Sequence, residues 1–373
     1  MTLSSTVLGR RTHARRRVLA WSIVLAWTVG TPALHAAPEI TQPYLGITRI
    51  KDSLTLPAPG DQTPGSNLGA HVAHVANVNL IKIDLQAAGL RFKLSPDNGA
   101  AAGESTTQRT LDFLKQENAQ LAVNVHFFSL TNANAAVGTT LTGFAASNGT
   151  VYSSFESAPL PNSLLPYALT ADSPAINIGS DNVAQIVNVG SDQNSFAGGV
   201  VPYNAVSGSG QVVTNGVKSL PTIVGSVTGP GQILTKSVPP FGGAPLGNWY
   251  TDQIAGRTAM GLSADNRILY IFTADAAGGS NGMTVSEVAD YLLGHGVYNL
   301  LNLDGGGSTT LAMEDPLTRV DSVVNAVAGS GRYVGSSLAV FAAPVPEPSA
   351  FLMFLAGGIA VMIGIRRRSL PEA

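Results

Sequence analysis

Three stretches decide the fold: Arg267-Ile268-Leu269-Tyr270-Ile271-Phe272-Thr273-Ala274-Asp275, Thr284-Val285-Ser286-Glu287-Val288-Ala289-Asp290-Tyr291-Leu292-Leu293, and Val297-Tyr298-Asn299-Leu300-Leu301-Asn302-Leu303-Asp304-Gly305-Gly306-Gly307-Ser308. The first is rich in β-branched and aromatic residues and predicts a strand. In the second, Val285, Val288, Ala289 and Leu292 repeat at helical spacing, while Thr284 and Glu287 stand three apart, as in a capping box. Gly294 and Gly296 close the helix. The third predicts a buried strand that runs into three glycines. Strand, helix, strand and glycine-rich turn in that order, within a chain of many short apolar runs, predict an α+β domain: a mixed β-sheet with few helices.

Working outward, Val78 to Leu85 alternates as a strand, Thr107 to Asn118 has a helical face carrying Leu111 and Leu114, and Leu121 to Leu130 predicts a further strand. From about 157 to 251 only five charged residues occur among many Gly, Ser, Asn and Pro, which predicts short strands and long loops. There is no cysteine in 373 residues, which excludes disulfide scaffolds, thiolate metal sites and cysteine nucleophiles. Charged residues are 12%, half the usual share. Arginines concentrate at the two ends, so residues 37–349 hold 13 basic and 22 acidic side chains, a balance of −9. Such a body is repelled by nucleic acid, and no nucleic-acid partner is expected.

Both ends look like addresses. Basic residues, an apolar run from Val18 to Val29 and Ala33-Leu34-His35-Ala36-Ala37 follow the order of a signal peptide over 1–36, with an uncleaved anchor as the alternative. Val345-Pro346-Glu347-Pro348-Ser349 precedes an uncharged stretch from Ala350 to Ile365 and Arg366-Arg367-Arg368. This segment, 345–368, resembles the PEP-CTERM sorting signal of exported bacterial proteins. The resemblance implies signal peptidase and an exosortase as processing partners. It also implies transient membrane anchoring through a short C-terminal helix and a final place in the cell envelope or outside, in a bacterium with an outer membrane and exopolysaccharide. A permanent anchor is the plainer alternative. Between the signals, 37–74 is read as an N-terminal extension and 75–342 as the main domain.

The chemistry concentrates at Asp304-Gly305-Gly306-Gly307-Ser308. Glycines after an apolar strand let backbone N–H groups approach an anionic oxygen, and Asp304 brings a carboxylate to the same place. No lysine follows, so this is not a P-loop; a plain glycine-rich turn is the alternative. Arg257, in Gly256-Arg257-Thr258-Ala259-Met260-Gly261, has the planar fork that suits phosphate, or else makes a surface ion pair. Asp275 ends its strand near the same cleft or caps a turn. Asn124, among apolar residues, must find hydrogen-bond partners. His71 and His74 have metal-ligand spacing but no third ligand.

These segments, with Lys82-Ile83-Asp84-Leu85, Asn124-Val125-His126-Phe127-Phe128 and Gly282-Met283-Thr284, resemble the phosphodiester glycosidase family over about 75 to 342. The resemblance implies hydrolysis of the bond between a sugar's anomeric carbon and a phosphodiester. Asp304 and Asp275 are then the catalytic carboxylates, and Asn124, Arg257, Thr258, Gly305, Gly306, Gly307 and Ser308 bind substrate. A glycan or glycosyl phosphate is the expected partner. No cofactor is demanded, although the reading admits a divalent cation, calcium or magnesium, between carboxylate and phosphate. The chain departs from the family at Val125 and His126, where glycine usually follows the Asn, and at Ala276 and Ala277. A catalytically inactive polysaccharide-binding surface protein is the alternative function.

Overall fold

The computed structural model describes residues 37–58, 72–129, 131–156, 172–220, 222–224, 232–234, 253–327 and 331–345. The signal-peptide and sorting-signal readings, His71 and the Val345–Arg368 stretch beyond residue 345 lie outside these residues. Among the described residues, no helix is long and apolar enough to cross a membrane.

The main sheet has eight strands, in the spatial order Glu39–Tyr44, Ile47–Leu56, His74–Asp84, Ile268–Ala274, Arg257–Leu262, Asn299–Asn302, Gly210–Thr214 and Val217–Lys218. Each pairing is antiparallel. The Glu39–Leu56 hairpin thus continues the sheet from its edge, so the stretch read as an extension supplies two of the sheet's strands. A second sheet runs Asp321–Val323, Leu311–Glu314, Leu121–Asn124, Ser337–Phe341 and Arg91–Leu94. A third, also of five strands, is made by Thr150–Ser153, Ala145–Ser147, Asn204–Ser207, Ala175–Ile178 and Ala184–Val187.

Two-residue periodicity explains the layering. Across the main sheet Ile81, Ile271, Met260 and Leu301 stand in one register row. All four bury into a core shared with Leu121, Val123, Leu311, Leu338 and Val340 of the second sheet. The neighbouring row, Leu80, Phe272 and Ala259, points to the opposite face. There it meets Val285, Val288, Ala289 and Leu292 of the Val285–Gly294 helix. The Thr110–Glu117 helix covers the far side of the second sheet through Phe113 and Leu114 against Ala122, Ala312 and Ala339. The result is helix, sheet, sheet, helix.

Local differences from the sequence reading have local causes. The first helix starts at Thr110 rather than Thr107, because Arg109 is extended; Asn118, in the left-handed region at φ 53°, ends it. The Leu121 strand stops at Asn124 because the Val125 carbonyl turns to accept the Asp304 N–H at 2.9 Å. Thr284 and Glu287 form a reciprocal capping box: Thr284 N donates to Glu287 Oε2 at 2.8 Å, and Glu287 N to Thr284 Oγ1 at 3.1 Å. Thr284→Ala should therefore lower stability by about 1 kcal/mol, measured by urea unfolding.

Candidate functional site

The strand ending at Asn302 belongs to the main sheet and the strand beginning at Leu311 to the second. The segment Leu303–Thr310 is the crossover between them, and it carries the glycines. Its entry is tied by Leu303 N to the Thr258 carbonyl at 2.9 Å. Asn124 fastens the rest. Its Nδ2 donates to the Asp304 carbonyl at 2.6 Å, and its Oδ1 accepts from Thr258 Oγ1 and Thr310 N, both at 3.0 Å. Asn124 is fully buried, so it organises the turn from below rather than lining an open pocket. Asn124→Ala would strand three buried groups, and we expect about 2–5 kcal/mol of destabilisation in chemical unfolding, with activity lost in proportion to the folded fraction.

The glycines have a packing reason as well as a chemical one. A Cβ on Gly305 would stand 2.6 Å from the Gly256 carbonyl oxygen, and one on Gly256 would stand 2.8 Å from the Gly306 oxygen. The two motifs are thus pressed backbone to backbone, with Gly306 N donating to the Gly256 carbonyl at 2.7 Å. Gly306 sits at φ +58°. Ser308 N is also spent, on the Gly305 carbonyl at 3.1 Å. The turn is held by its own amides, so Gly306 and Ser308 N–H groups are not free for an anion.

Asp304 is buried among these groups with 3% exposure. Its Oδ2 has no hydrogen-bond partner; the Arg332 Nη2 lies 3.9 Å away. Burial raises its pKa to about 6, and the Arg332 charge, the Ser308 hydroxyl and the Gly305 amide pull back against that rise. Arg332 donates through Nε to Ser308 Oγ at 2.9 Å, donates to the same oxygen through Nη2, and lies over the Phe128 ring. Thr309 Oγ1 and Thr310 Oγ1, both buried, have no partner either. The crossover turn thus carries a titrating carboxylate and two buried hydroxyls without a hydrogen-bond partner, and the Arg332 guanidinium reaches it from the Gly331–Tyr333 segment.

Sequence reasoning missed Arg332, Thr309 and Thr310. A signal existed: Arg332 stands in Gly331-Arg332-Tyr333, in a body with few cations. Arg257 was expected as the cation of the site. Its backbone does abut the turn, since a Cβ on Gly305 would lie 3.4 Å from Arg257 Cα. Its guanidinium, however, donates Nε to the Met283 carbonyl at 2.9 Å and Nη2 to the Gln253 carbonyl. Thr258 is buried and spends its hydroxyl hydrogen on Asn124.

Asp275 is placed one side chain away from the turn. Its Oδ1 accepts from Asn325 Nδ2 at 3.1 Å and its Oδ2 from Ala326 N at 3.0 Å; the same Asn325 Nδ2 reaches the Thr309 carbonyl at 3.2 Å. Burial raises its pKa against these bonds and the charges of Lys51 and Arg49. Asp275 faces a separate cleft of about 410 Å³ beside Lys51, Asp52 and Asn79. Its two oxygens are engaged by a neighbouring loop, so it braces the turn through Asn325.

His126, at the family departure, is fully buried. Its Nδ1 lies 2.7 Å from Ser336 Oγ, and its Nε2 lies 3.0 Å from the Phe144 carbonyl. Burial lowers its pKa to about 4, so it is a neutral core group. His74 approaches the Glu287 carboxylate at 3.4 Å. At the turn Asp304 is a single carboxylate with a guanidinium 3.9 Å away, so a divalent ion there would draw its other ligands from backbone carbonyls, water or substrate phosphate oxygens. Among the described residues no group of three His, Asp or Glu side chains is placed to hold a metal.

The phosphodiester glycosidase family matches residues 117–341. The human and mouse N-acetylglucosamine-1-phosphodiester alpha-N-acetylglucosaminidases are 34% and 32% identical over 73 residues, 20% of this chain. Those matches span only 14% of each curated relative. The catalytic domain of the zebrafish N-acetylglucosamine-1-phosphodiester alpha-N-acetylglucosaminidase, auto-inhibited by its pro-peptide, has a similar fold. Its TM-score is 0.51 at 16% identity, covering 82% of this chain and 86% of that one. A Burkholderia pseudomallei protein gives a TM-score of 0.51 at 14% identity, over 83% and 97% of the two chains. The match over more than half of the sequence places the chain in the phosphodiester glycosidase family.

Proposed function

We propose that the protein is an exported hydrolase that cleaves the anomeric carbon–oxygen bond of a glycosyl-1-phosphodiester in envelope or extracellular glycans. The observation that supports this most directly is Asp304 on the crossover turn with Arg332 beside it: a buried carboxylate whose pKa is raised to about 6, 3.9 Å from a guanidinium. When the bond breaks, its electron pair leaves on the phosphate oxygen and positive charge develops on the sugar ring. Arg332 and the Thr309 and Thr310 hydroxyls receive the phosphate, whose growing charge they stabilise more than that of the bound diester. Phosphate leaves without needing a proton, so a single carboxylate suffices. Asp304 works ionised: it bonds to the anomeric carbon and is later displaced by water, or it takes a proton from the water that attacks that carbon. Sugar and phosphomonoester are the products in either case.

Both roles require the carboxylate form. The rate should therefore rise with pH through about 6 and level off above it. A pH profile of kcat/KM on a panel of glycosyl-phosphate diesters tests this together with the sugar preference. A profile that falls through pH 6, or no sugar release from any member, overturns the reading. The proposed route of export is signal-peptide removal near Ala36 followed by exosortase processing of the 345–368 segment; mass spectrometry of the mature protein showing both segments intact would reject it.

A further inference from the structure

A polar groove of about 440 Å³ lies away from the catalytic turn, where the Arg91–Leu94 edge of the second sheet meets two hairpin ends of the third. The strand Ser337–Phe341 relates the two places. Ser337 pairs with Asn124 beneath the turn, and Phe341 pairs with Arg91 in the groove. Four residues of strand separate them, roughly 13 Å. We propose that this groove is a second, non-catalytic site that binds an acidic oligosaccharide.

Its frame is built before any ligand arrives. An edge strand leaves backbone groups unpaired, and here amides of the third sheet take them. Asn204 Nδ2 donates to the Phe92 carbonyl at 3.0 Å, its Oδ1 accepts from Leu94 N at 3.3 Å, and Asn182 Nδ2 donates to the Leu90 carbonyl at 2.8 Å. The Gly179–Val183 turn is closed by Gly179 N to the Val183 carbonyl at 2.9 Å and by Val183 N to Asp181 Oδ1 at 3.0 Å. A ligand therefore orders little protein on binding.

What this frame presents has the chemistry of a charged sugar. The Arg91 guanidinium carbon lies over the Phe341 ring, 4.5 Å from its centroid, and among the described residues no carboxylate pairs with it. With no carboxylate partner, its guanidinium fork can meet a carboxylate of a ligand. Lys93 pairs with Glu117 at 2.8 Å, so among the lining residues Arg91 is the cation left to meet a ligand's carboxylate. Tyr203, half-buried, offers an aromatic surface beside the exposed Ser180 and Asn148. Hydroxyls and amides fix a sugar's orientation while an aromatic ring takes its C–H face.

The test uses the mature chain carrying Asp304→Asn, which removes turnover from the measurement. Oligogalacturonate should bind in titration calorimetry, while a maltooligosaccharide of equal length should bind at least about tenfold more weakly. Arg91→Gln and Tyr203→Ala should each weaken oligogalacturonate binding about tenfold or more. Ser180→Glu, in an exposed turn, should do so by repulsion without touching the core. Absence of oligogalacturonate binding, equal binding of the neutral oligomer, or indifference to all three substitutions overturns the proposal; so does displacement by equimolar inorganic phosphate, which would mark a simple anion site. None of these readings depends on hydrolysis, so failure of the proposed enzyme activity would leave the result standing.

Discussion

Asp304→Asn should lower sugar release from an activated glycosyl-1-phosphodiester by about 100- to 1000-fold or more, with the fold intact. The change is nearly isosteric and removes the carboxylate that both mechanistic roles need, and removing one such electrostatic group from a buried site commonly costs that much. Stability distinguishes this loss from unfolding. The folded-state pKa of Asp304, about 6, lies above the ordinary value of 3.8 because burial disfavours the charge. Between about pH 4 and 6 the folded chain keeps a proton that the unfolded chain releases. Stability therefore falls as pH rises through that window, and above it the wild type carries a penalty of about 3 kcal/mol from this group. Asn does not titrate. The variant should be at least as stable as wild type at pH 7.5, measured by thermal unfolding, and should lose the part of the pH dependence that lies between 4 and 6. Wild-type turnover in this variant would remove the turn from the mechanism.

Arg332→Lys should reduce kcat about 100-fold, because a lysine keeps the charge but cannot hold the two-point contact with Ser308 and still face a phosphate. Arg332→Gln should do more than slow the reaction. Loss of the nearby positive charge removes one influence that holds the Asp304 pKa down, so the rising limb of the pH–rate profile should move above 6. A shift of that limb reports the Asp304–Arg332 contact itself, which a generally loosened structure would not reproduce. An unshifted limb with normal kcat would show that Arg332 is only a support for Ser308.

Much of the fold was legible because its signals are local. The Val285–Gly294 helix follows from its apolar spacing and from the Thr284–Glu287 box, which needs only three residues of chain. The Ile268–Ala274 and Asn299–Asn302 strands follow from short apolar runs bounded by glycine. Asp304 and the glycines were equally visible, since a carboxylate followed by three glycines after a buried strand has few uses. The break of the Leu121 strand at Asn124 was not legible, because its cause is a hydrogen bond to Asp304, 179 positions on from Val125.

The sequence alone determined the Val285–Gly294 helix with its cap, the strands on either side of it, and that a carboxylate stands on a glycine turn. These depend on backbone preference and on side-chain periodicity along a few residues. Only the tertiary structure decided which cation serves that carboxylate. Arg257 and Arg332 are alike as isolated residues; the fold turns the first toward the carbonyls of Met283 and Gln253 and brings the second to Ser308 and Asp304. It likewise set Asp275 apart behind Asn325 and showed that Gly256 and Gly305 are glycines because two backbones touch there. Contacts between residues far apart in sequence arise from sheet packing and register, and no local pattern records them.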